Sequence, residues 1–119
     1  MLNKYRRAVL KISGEALAGT TSLGHDWDVF EYVAKELAEV QQLGFELGIV
    51  VGGGNIWRGA TAEEQGMDRT TADHAGMLAT IINALALQDA LERVGIETRT
   101  QTSIEVTSVE EPYMSLIHI

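Results

Sequence analysis

The sequence predicts an α/β fold in which parallel strands alternate with helices. Three features of the 119 residues predict it: short β-branched runs alternate with amphipathic helical patterns, both long helical patterns end at a glycine, and residues 45–51 form an almost unbroken apolar run. Parallel strands that are buried on both faces read as such runs. The alternation is typical of a layered sheet with right-handed crossovers. We therefore expect one domain, or part of one.

The first half of the chain predicts a strand, a loop and a helix before the apolar run. Residues 7–13 form the first strand, and a cluster of glycine, threonine and serine over residues 19–24 predicts a loop. Apolar residues at spacings of three and four predict a helix that begins at Asp26 or Asp28 as its cap and ends at Gly44.

The second half predicts a long helix followed by a third strand. Residues 60–69 are polar and read as a loop or a frayed turn, whereas residues 71–94 give the strongest helical pattern, with Thr70 or Thr71 as its cap. Residues 96–102 are expected to form the third strand. The large apolar side chains around this helix are predicted to be core, although the helix is equally compatible with a subunit interface. They are Met67, Met77, Ile81, Ile82 and Leu85.

Composition excludes several classes of protein. Nine basic against 17 acidic residues give a net charge of −8, which argues against nucleic acid as the main partner because binding to a phosphate backbone needs a basic face. The absence of cysteine excludes disulfides and cysteine-based zinc sites. No apolar run approaches the roughly 20 residues that span a bilayer, and the N-terminal apolar run is too short for a signal peptide. A cytoplasmic protein without a membrane partner is expected.

Three consecutive glycines, Gly52, Gly53 and Gly54, follow the apolar strand directly. Open α/β sheets place their ligands at this end of a strand, and successive N–H groups without Cβ atoms can form a concave anion site. The pattern is neither the dinucleotide-binding nor the P-loop motif. A tight turn without a ligand is an equally good interpretation of the glycines alone.

Charged residues near the same sheet edge favour an anionic ligand. Lys11 lies near the end of the first strand, and a lysine beside fixed N–H donors suits a phosphate, although alone it reads as a solvated side chain. Arg58 can reach this edge or simply decorate a helix. Asp73 either interacts with the helix dipole or accepts hydrogen bonds from sugar hydroxyls. No cluster of carboxylates and histidines predicts a protein-bound metal.

Three blocks of sequence together resemble the bacterial uridylate (UMP) kinases, which have the amino acid kinase fold. They are residues 11–17 (Lys-Ile-Ser-Gly-Glu-Ala-Leu), residues 50–59 (Val-Val-Gly-Gly-Gly-Asn-Ile-Trp-Arg-Gly) and residues 67–80 (Met-Asp-Arg-Thr-Thr-Ala-Asp-His-Ala-Gly-Met-Leu-Ala-Thr). The resemblance runs from about residue 6 to about residue 113. It implies a three-layer α/β sandwich with a mainly parallel sheet.

The resemblance also implies an activity, the transfer of the γ-phosphoryl group of ATP to UMP, with Mg²⁺ carried largely by the phosphates. Its site residues carry over by position. Catalytic positions are matched by Lys11 and Arg58, and ATP-binding positions by these two with Ser13, Gly14 and Gly54. UMP-binding positions are matched by Gly53 and Asp73. A loop linked to activation by GTP is matched by Gly19, Thr20, Thr21, Ser22, Leu23 and Gly24. Members of the family are commonly homohexamers.

The chain departs from the family pattern in two ways. Gln88, Asp89 and Glu92 stand where some members carry basic residues of the GTP site, so GTP is only a candidate effector. The second half of the fold, with a Thr-Gly-Asn-Pro loop, an adenine pocket and a further aspartate, does not follow. Residues 1–113 are therefore expected to be the N-terminal part of a truncated kinase domain that is inactive alone. Residues 114–119 resemble a translated sequencing adaptor and are expected to be a non-native tail.

Two other functions remain compatible with the sequence. One is a kinase of the same fold that phosphorylates a carboxylate or carbamate. The other is a nucleotide-binding or subunit-interaction module without catalysis. The Asp73-His74 pair that follows Met67-Asp-Arg favours a nucleotide acceptor.

Overall fold

Two parallel strands and the helices that follow them make up the part of the chain that the computed structural model describes, residues 6–21 and 23–102. Ser22 and the predicted tail, residues 114–119, lie outside the described residues. The elements in chain order are β1 (Arg7–Ile12), α1 (Gly14–Leu17), a 3₁₀ turn (Gly19–Thr21), α2 (Trp27–Gln42), β2 (Glu46–Val51), α3 (Gly59–Glu64) and α4 (Arg69–Arg93).

The two strands pair in parallel, with Arg7 opposite Glu46 and Ile12 opposite Val51. This confirms the predicted α/β class. Because side chains alternate along a strand, Ile12 and Val51 face the helices and pack against the core. On the other face, the side chain of Val9 is 76% exposed. The described residues thus supply the sheet and one of its two predicted helix layers.

The core lies between this sheet face and helices α2 and α4. Its buried members are Leu17, Phe30, Ala34, Leu37, Leu87 and Leu91. Helix α2 begins as predicted, because the side chain of Asp26 accepts a hydrogen bond from the N–H of Asp28 at 3.1 Å.

Helix α4 begins earlier than predicted, and neither predicted cap is correct. Its N-cap is Asp68, whose carboxylate accepts a hydrogen bond from the N–H of Thr71 at 3.2 Å. A carboxylate at the N-cap satisfies one of the free N–H groups of the first turn. The sequence pattern missed this cap because the first helical residues, Arg69 and Thr70, are polar.

The prediction that the large apolar side chains around α4 form core is wrong for three of the five. Met67, Met77 and Ile82 are between 38% and 48% exposed, whereas Ile81 is buried. The buried face of α4 is formed mainly by small or polar side chains in its first half and middle and by leucines toward its end. Its buried residues are Ala72, Ala79, Ile81, Asn83, Leu87 and Leu91. A pattern of large apolar residues does not predict this face, because small side chains such as Ala79 let a neighbouring backbone pack closely against the helix.

Two further segments differ from the sequence prediction. Half of the predicted loop over residues 60–69 belongs to a helix, since residues 60–64 lie in α3, which packs against α4. Alanine at two of the six positions of α3 favours helix over loop. Residues 96–102 do not form a strand. A cavity of about 520 Å³ is lined by both β2 and residues 96–101, and Thr100 hydrogen-bonds Gln88 of α4. The sheet in the described residues has only the strands β1 and β2, so residues 96–102 lack the ladder of hydrogen bonds that defines a strand.

None of the helices in the described residues combines the length and the apolar character that crossing a membrane requires.

The packing of α4 predicts unequal effects for two leucines on the same helix. Leu87 is 3% exposed and Leu78 is 49% exposed. Leu87→Ala is expected to lower the free energy of unfolding by about 2–5 kcal/mol because it leaves a core cavity. Leu78→Ala is the matched control and should cost no more than about 1 kcal/mol. Urea denaturation of both variants measures this, and equal losses would contradict the assigned helix face.

Candidate functional site

The three glycines begin a turn at the carboxyl ends of both strands, as the sequence predicts. The N–H of Gly52 donates to the carbonyl of Ile12 at 2.9 Å and so continues the ladder by one bond. The chain then turns back, and the N–H groups of Ile56 and Trp57 both donate to the carbonyl of Gly53 at 3.0 Å. We call residues 52–55 the glycine turn.

Glycine is required in this region because three backbones approach one another. A Cβ on Gly14 would overlap the backbone nitrogen of Gly54, and one on Gly52 would lie 3.2 Å from the nitrogen of Gly14. A Cβ on Gly53 would lie 2.8 Å from that of Ala79 on α4. None of these glycines has a positive φ, so the requirement is steric. The glycine turn is packed between the start of α1 and the middle of α4.

The glycine turn also presents backbone donors. Within residues 6–21 and 23–102, no acceptor contacts the N–H groups of Gly53 and Gly54. Lys11 of β1 lies opposite Val50 of β2 in the parallel register. Its exposed ammonium group has no ion pair or hydrogen bond to any described residue. An unpaired cation and two unpaired N–H donors therefore lie at the same end of the sheet, and such groups suit an anionic ligand such as a phosphate.

Arg58 lies across the glycine turn rather than decorating a helix face. Its Nε donates to the carbonyl of Gly54 at 3.2 Å, and its Nη2 lies 3.6 Å from a carboxylate oxygen of Glu15. That carboxylate rests directly against Gly54, where a Cβ would overlap it. Both side chains are about half exposed, so the pair can exchange partners with a bound anion. Glu15 was not predicted as a site residue from the sequence, although it follows Gly14 directly.

Ser13, a predicted ATP-binding residue, caps helix α1. Its hydroxyl oxygen accepts a hydrogen bond from the N–H of Ala16 at 3.2 Å. The hydroxyl hydrogen stays available for a further acceptor at the carboxyl end of β1.

Asp73 lies near the N-terminal end of α4, on a different element from the other predicted residues. Its exposed carboxylate lies 3.9 Å from the Nε of Arg69, one turn earlier. The indole N–H of Trp57 donates to the carbonyl of Ala72 at 2.9 Å. Trp57 thus fastens the segment after the glycine turn to the residue that precedes Asp73.

Gly24, the last residue of the predicted GTP-linked loop, is attached to the glycine turn through Asn55. The N–H of Gly24 donates to the carbonyl of Asn55 at 2.9 Å, and the side-chain amide of Asn55 donates to the carbonyl of Gly24 at 2.7 Å. Gly19 and Gly24 have positive φ values of 65° and 72°, whereas Thr20 and Leu23 are exposed. Asn55 was not predicted as a site residue either, although its position directly after the glycines was a signal.

No group of three or more histidine and acidic side chains in the described ranges is arranged to hold a metal ion.

A sequence profile described as the amino acid kinase family matches residues 6–115. The chain belongs to the amino acid kinase family. It is 60% identical over 111 residues to the uridylate kinase of Limosilactobacillus reuteri. The aligned residues make up 93% of this chain and 46% of that protein. These findings confirm the family resemblance seen in the sequence.

Two solved structures of UMP kinases share the fold of this family member. The enzyme from Bacillus anthracis matches with a TM-score of 0.86 at 43% identity, and the match covers 98% of this chain and 49% of the B. anthracis chain. The enzyme from Ureaplasma parvum matches with a TM-score of 0.84 at 37% identity, and the match covers 97% of this chain and 51% of the U. parvum chain. The chain therefore spans about half the length of the relatives that it matches.

Steric contact at the glycine turn predicts opposite outcomes for two glycines. Gly53→Ala is expected to lower the free energy of unfolding by about 1–3 kcal/mol, because the new methyl group forces the turn away from α4. Gly48→Ala is the control, since its Cβ would meet only Val9, at an ordinary 3.7 Å, and should be neutral or slightly stabilising. Thermal unfolding of both variants measures the difference. A neutral Gly53→Ala would refute the close approach.

Proposed function

We propose that the protein to which this chain belongs transfers the γ-phosphoryl group of ATP to UMP, giving UDP and ADP. The observation that carries the proposal is the combination at the carboxyl ends of β1 and β2, where the unpaired ammonium group of Lys11 accompanies the free N–H donors of Gly53 and Gly54. The names of the relatives, uridylate kinase and UMP kinase, supply the acceptor.

The reaction needs positioning and charge stabilisation rather than an acid–base pair. A phosphate oxygen of UMP attacks the γ-phosphorus of ATP, and the bond to the bridging oxygen breaks, so that ADP leaves with the electron pair. The transition state is loose and spreads negative charge over the equatorial oxygens. The ammonium group of Lys11 and the N–H groups of the glycine turn stabilise that charge.

Mg²⁺ enters with ATP as part of the substrate. The carboxylate of Glu15 lies against Gly54 and is paired with Arg58. One such carboxylate does not make a metal site, and magnesium commonly keeps water and phosphate oxygens as its ligands. The ion shields the charge on the β- and γ-phosphates.

The remaining residues divide between the two nucleotides. Ser13, Gly14, Gly54 and Arg58 hold the phosphates of ATP, with Arg58 exchanging the carboxylate of Glu15 for a phosphate oxygen. On the other side, Gly53 and Asp73 hold UMP, with the carboxylate of Asp73 accepting hydrogen bonds from the ribose hydroxyls. This carboxylate would repel a carboxylate or carbamate acceptor, which favours the nucleotide over the alternative acceptors of this family.

Regulation, assembly and location are part of the same proposal. The family resemblance supports a regulatory role for residues 19–24 with GTP as a candidate effector, a homohexamer, and action in the cytoplasm. The exposed apolar side chains of Met77 and Ile82 on α4 favour a contact between subunits, because exposed apolar surface of this kind is costly to leave in water.

Release of ADP tests the proposal directly. The whole protein, with ATP, Mg²⁺ and UMP in a coupled assay, is expected to release ADP only when UMP is present. ADP release that ignores UMP, or that follows a carboxylate acceptor instead, would reject UMP as the substrate.

Substitution of Lys11 is expected to lower kcat. Lys11→Ala removes the charge next to the transferred group, and the loss of one such stabilising group costs about 10²–10³-fold in kcat. Lys35→Ala is the matched control, because Lys35 lies on α2 and pairs with Glu31 at its surface. The ADP-release assay measures both, and equal kcat values in the two variants would refute the role of Lys11.

Asp73→Asn is expected to raise KM for UMP about tenfold while changing kcat little, because it removes a charge-assisted hydrogen bond to the substrate. Asp89→Asn is a close control, since Asp89 lies on the same helix and pairs with Arg93 four residues away, as Asp73 pairs with Arg69. If Asp73→Asn and Asp89→Asn share one KM for UMP, Asp73 does not bind the nucleotide.

A further inference from the structure

Two asparagines form a fully buried amide pair beneath the glycine turn. Asn55 is 2% exposed and Asn83, on α4, is 0% exposed. The Nδ2 of Asn83 donates to the Oδ1 of Asn55 at 2.7 Å, and the Nδ2 of Asn55 donates back to the Oδ1 of Asn83 at 3.3 Å. Because buried polar groups without partners are costly, a pair of this kind fixes the relative position of the two segments that carry it.

The remaining N–H group of each amide binds a backbone carbonyl. Asn83 donates to the carbonyl of Gly52 at 2.7 Å, and Asn55 donates to the carbonyl of Gly24 at 2.7 Å. Carbonyl oxygens only accept, so these two bonds fix the orientation of both amides. The pair therefore connects α4, the glycine turn and Gly24 in one network.

His25 completes this network. Its Nε2 lies 2.8 Å from the Oδ1 of Asn83, and because that oxygen only accepts, the ring must donate from Nε2. The ring is held in place by stacking on Trp27, with centroids 5.1 Å apart and planes 11° apart, and by a tilted contact with Phe30 at 5.5 Å. The donor is thus positioned by two aromatic side chains at the start of α2, the exposed Trp27 and the buried Phe30.

We infer that Asn55, Asn83 and His25 are positioning residues for the phosphate-binding turn. They hold the carbonyl of Gly52 toward α4, which leaves the next two N–H groups of the turn free for phosphate. None of the three is assigned a contact with substrate; they act through the glycine turn. The inference rests on the proposed function, since it presumes that the turn binds phosphate.

The strongest test separates the hydrogen bond of His25 from its stacking. Substitution of Asn83 would strand several buried groups at once and endanger the fold, whereas His25 offers two milder changes. His25→Phe keeps a ring against Trp27 but removes the N–H donor. His25→Gln keeps a donor that can reach Asn83 but removes the ring.

The two variants are expected to rank in opposite order, with His25→Phe losing more phosphate binding and His25→Gln losing more stability. Calorimetry with inorganic tripolyphosphate and the 119-residue chain should show about fivefold weaker binding for His25→Phe, equivalent to one ordinary hydrogen bond, and binding within about twofold of the unsubstituted chain for His25→Gln. Thermal unfolding should show the larger loss for His25→Gln, because stacking is lost. The side-chain ¹⁵N resonances of Asn55 and Asn83 should move in His25→Phe.

Several outcomes would overturn the inference. Unchanged binding in His25→Phe would do so, as would binding losses that simply follow the losses of stability, because the residues would then be structural only. If the unsubstituted chain does not bind tripolyphosphate, the inference fails, and so does its premise that the glycine turn of this chain binds phosphate. The proposed function fails separately, when the whole protein releases no UMP-dependent ADP.

Discussion

The close contact between the backbones of Gly14 and Gly54 is the constraint on which the rest of the structure depends. It brings the carboxyl end of β1 and the turn after β2 to one place, so that Lys11 and the free N–H groups of the turn share the same end of the sheet. Any side chain at Gly14 would meet the backbone of the glycine turn. The absence of Cβ atoms permits this backbone packing, and in the proposed function it also gives a phosphate access to the turn.

A second constraint keeps this contact in register with the helices. The buried amides of Asn55 and Asn83 link the glycine turn to α4, and the small side chain of Ala79 admits Gly53 against the same helix. Since α4 also carries Asp73 at its N-terminal end, the position of the turn on α4 sets the relation between the ATP side and the UMP side of the proposed site.

Much of this arrangement could be predicted from the sequence, because it depends on local patterns. The alternation of elements indicated the α/β class, and Lys11 and the three glycines were placed at one sheet edge because carboxyl ends of parallel strands coincide. Contacts between distant residues were not predictable in this way. The hydrogen bonds of Asn83 and the carboxylate of Glu15 against Gly54 depend on packing that no spacing reveals. The buried face of α4 was missed since alanine marks it, and the third strand because a strand requires a partner.

The most direct test of the central claim, that the glycine turn binds phosphate, is an NMR titration of the ¹⁵N-labelled chain with inorganic tripolyphosphate. We expect the amide resonances of Gly53 and Gly54 to shift most. Three glycines that end helices, Gly44, Gly66 and Gly95, have positive φ, and a Cβ on any of them would meet no atom within 4 Å. Their resonances should stay in place. Uniform shifts, or shifts confined to those three glycines, would contradict the claim.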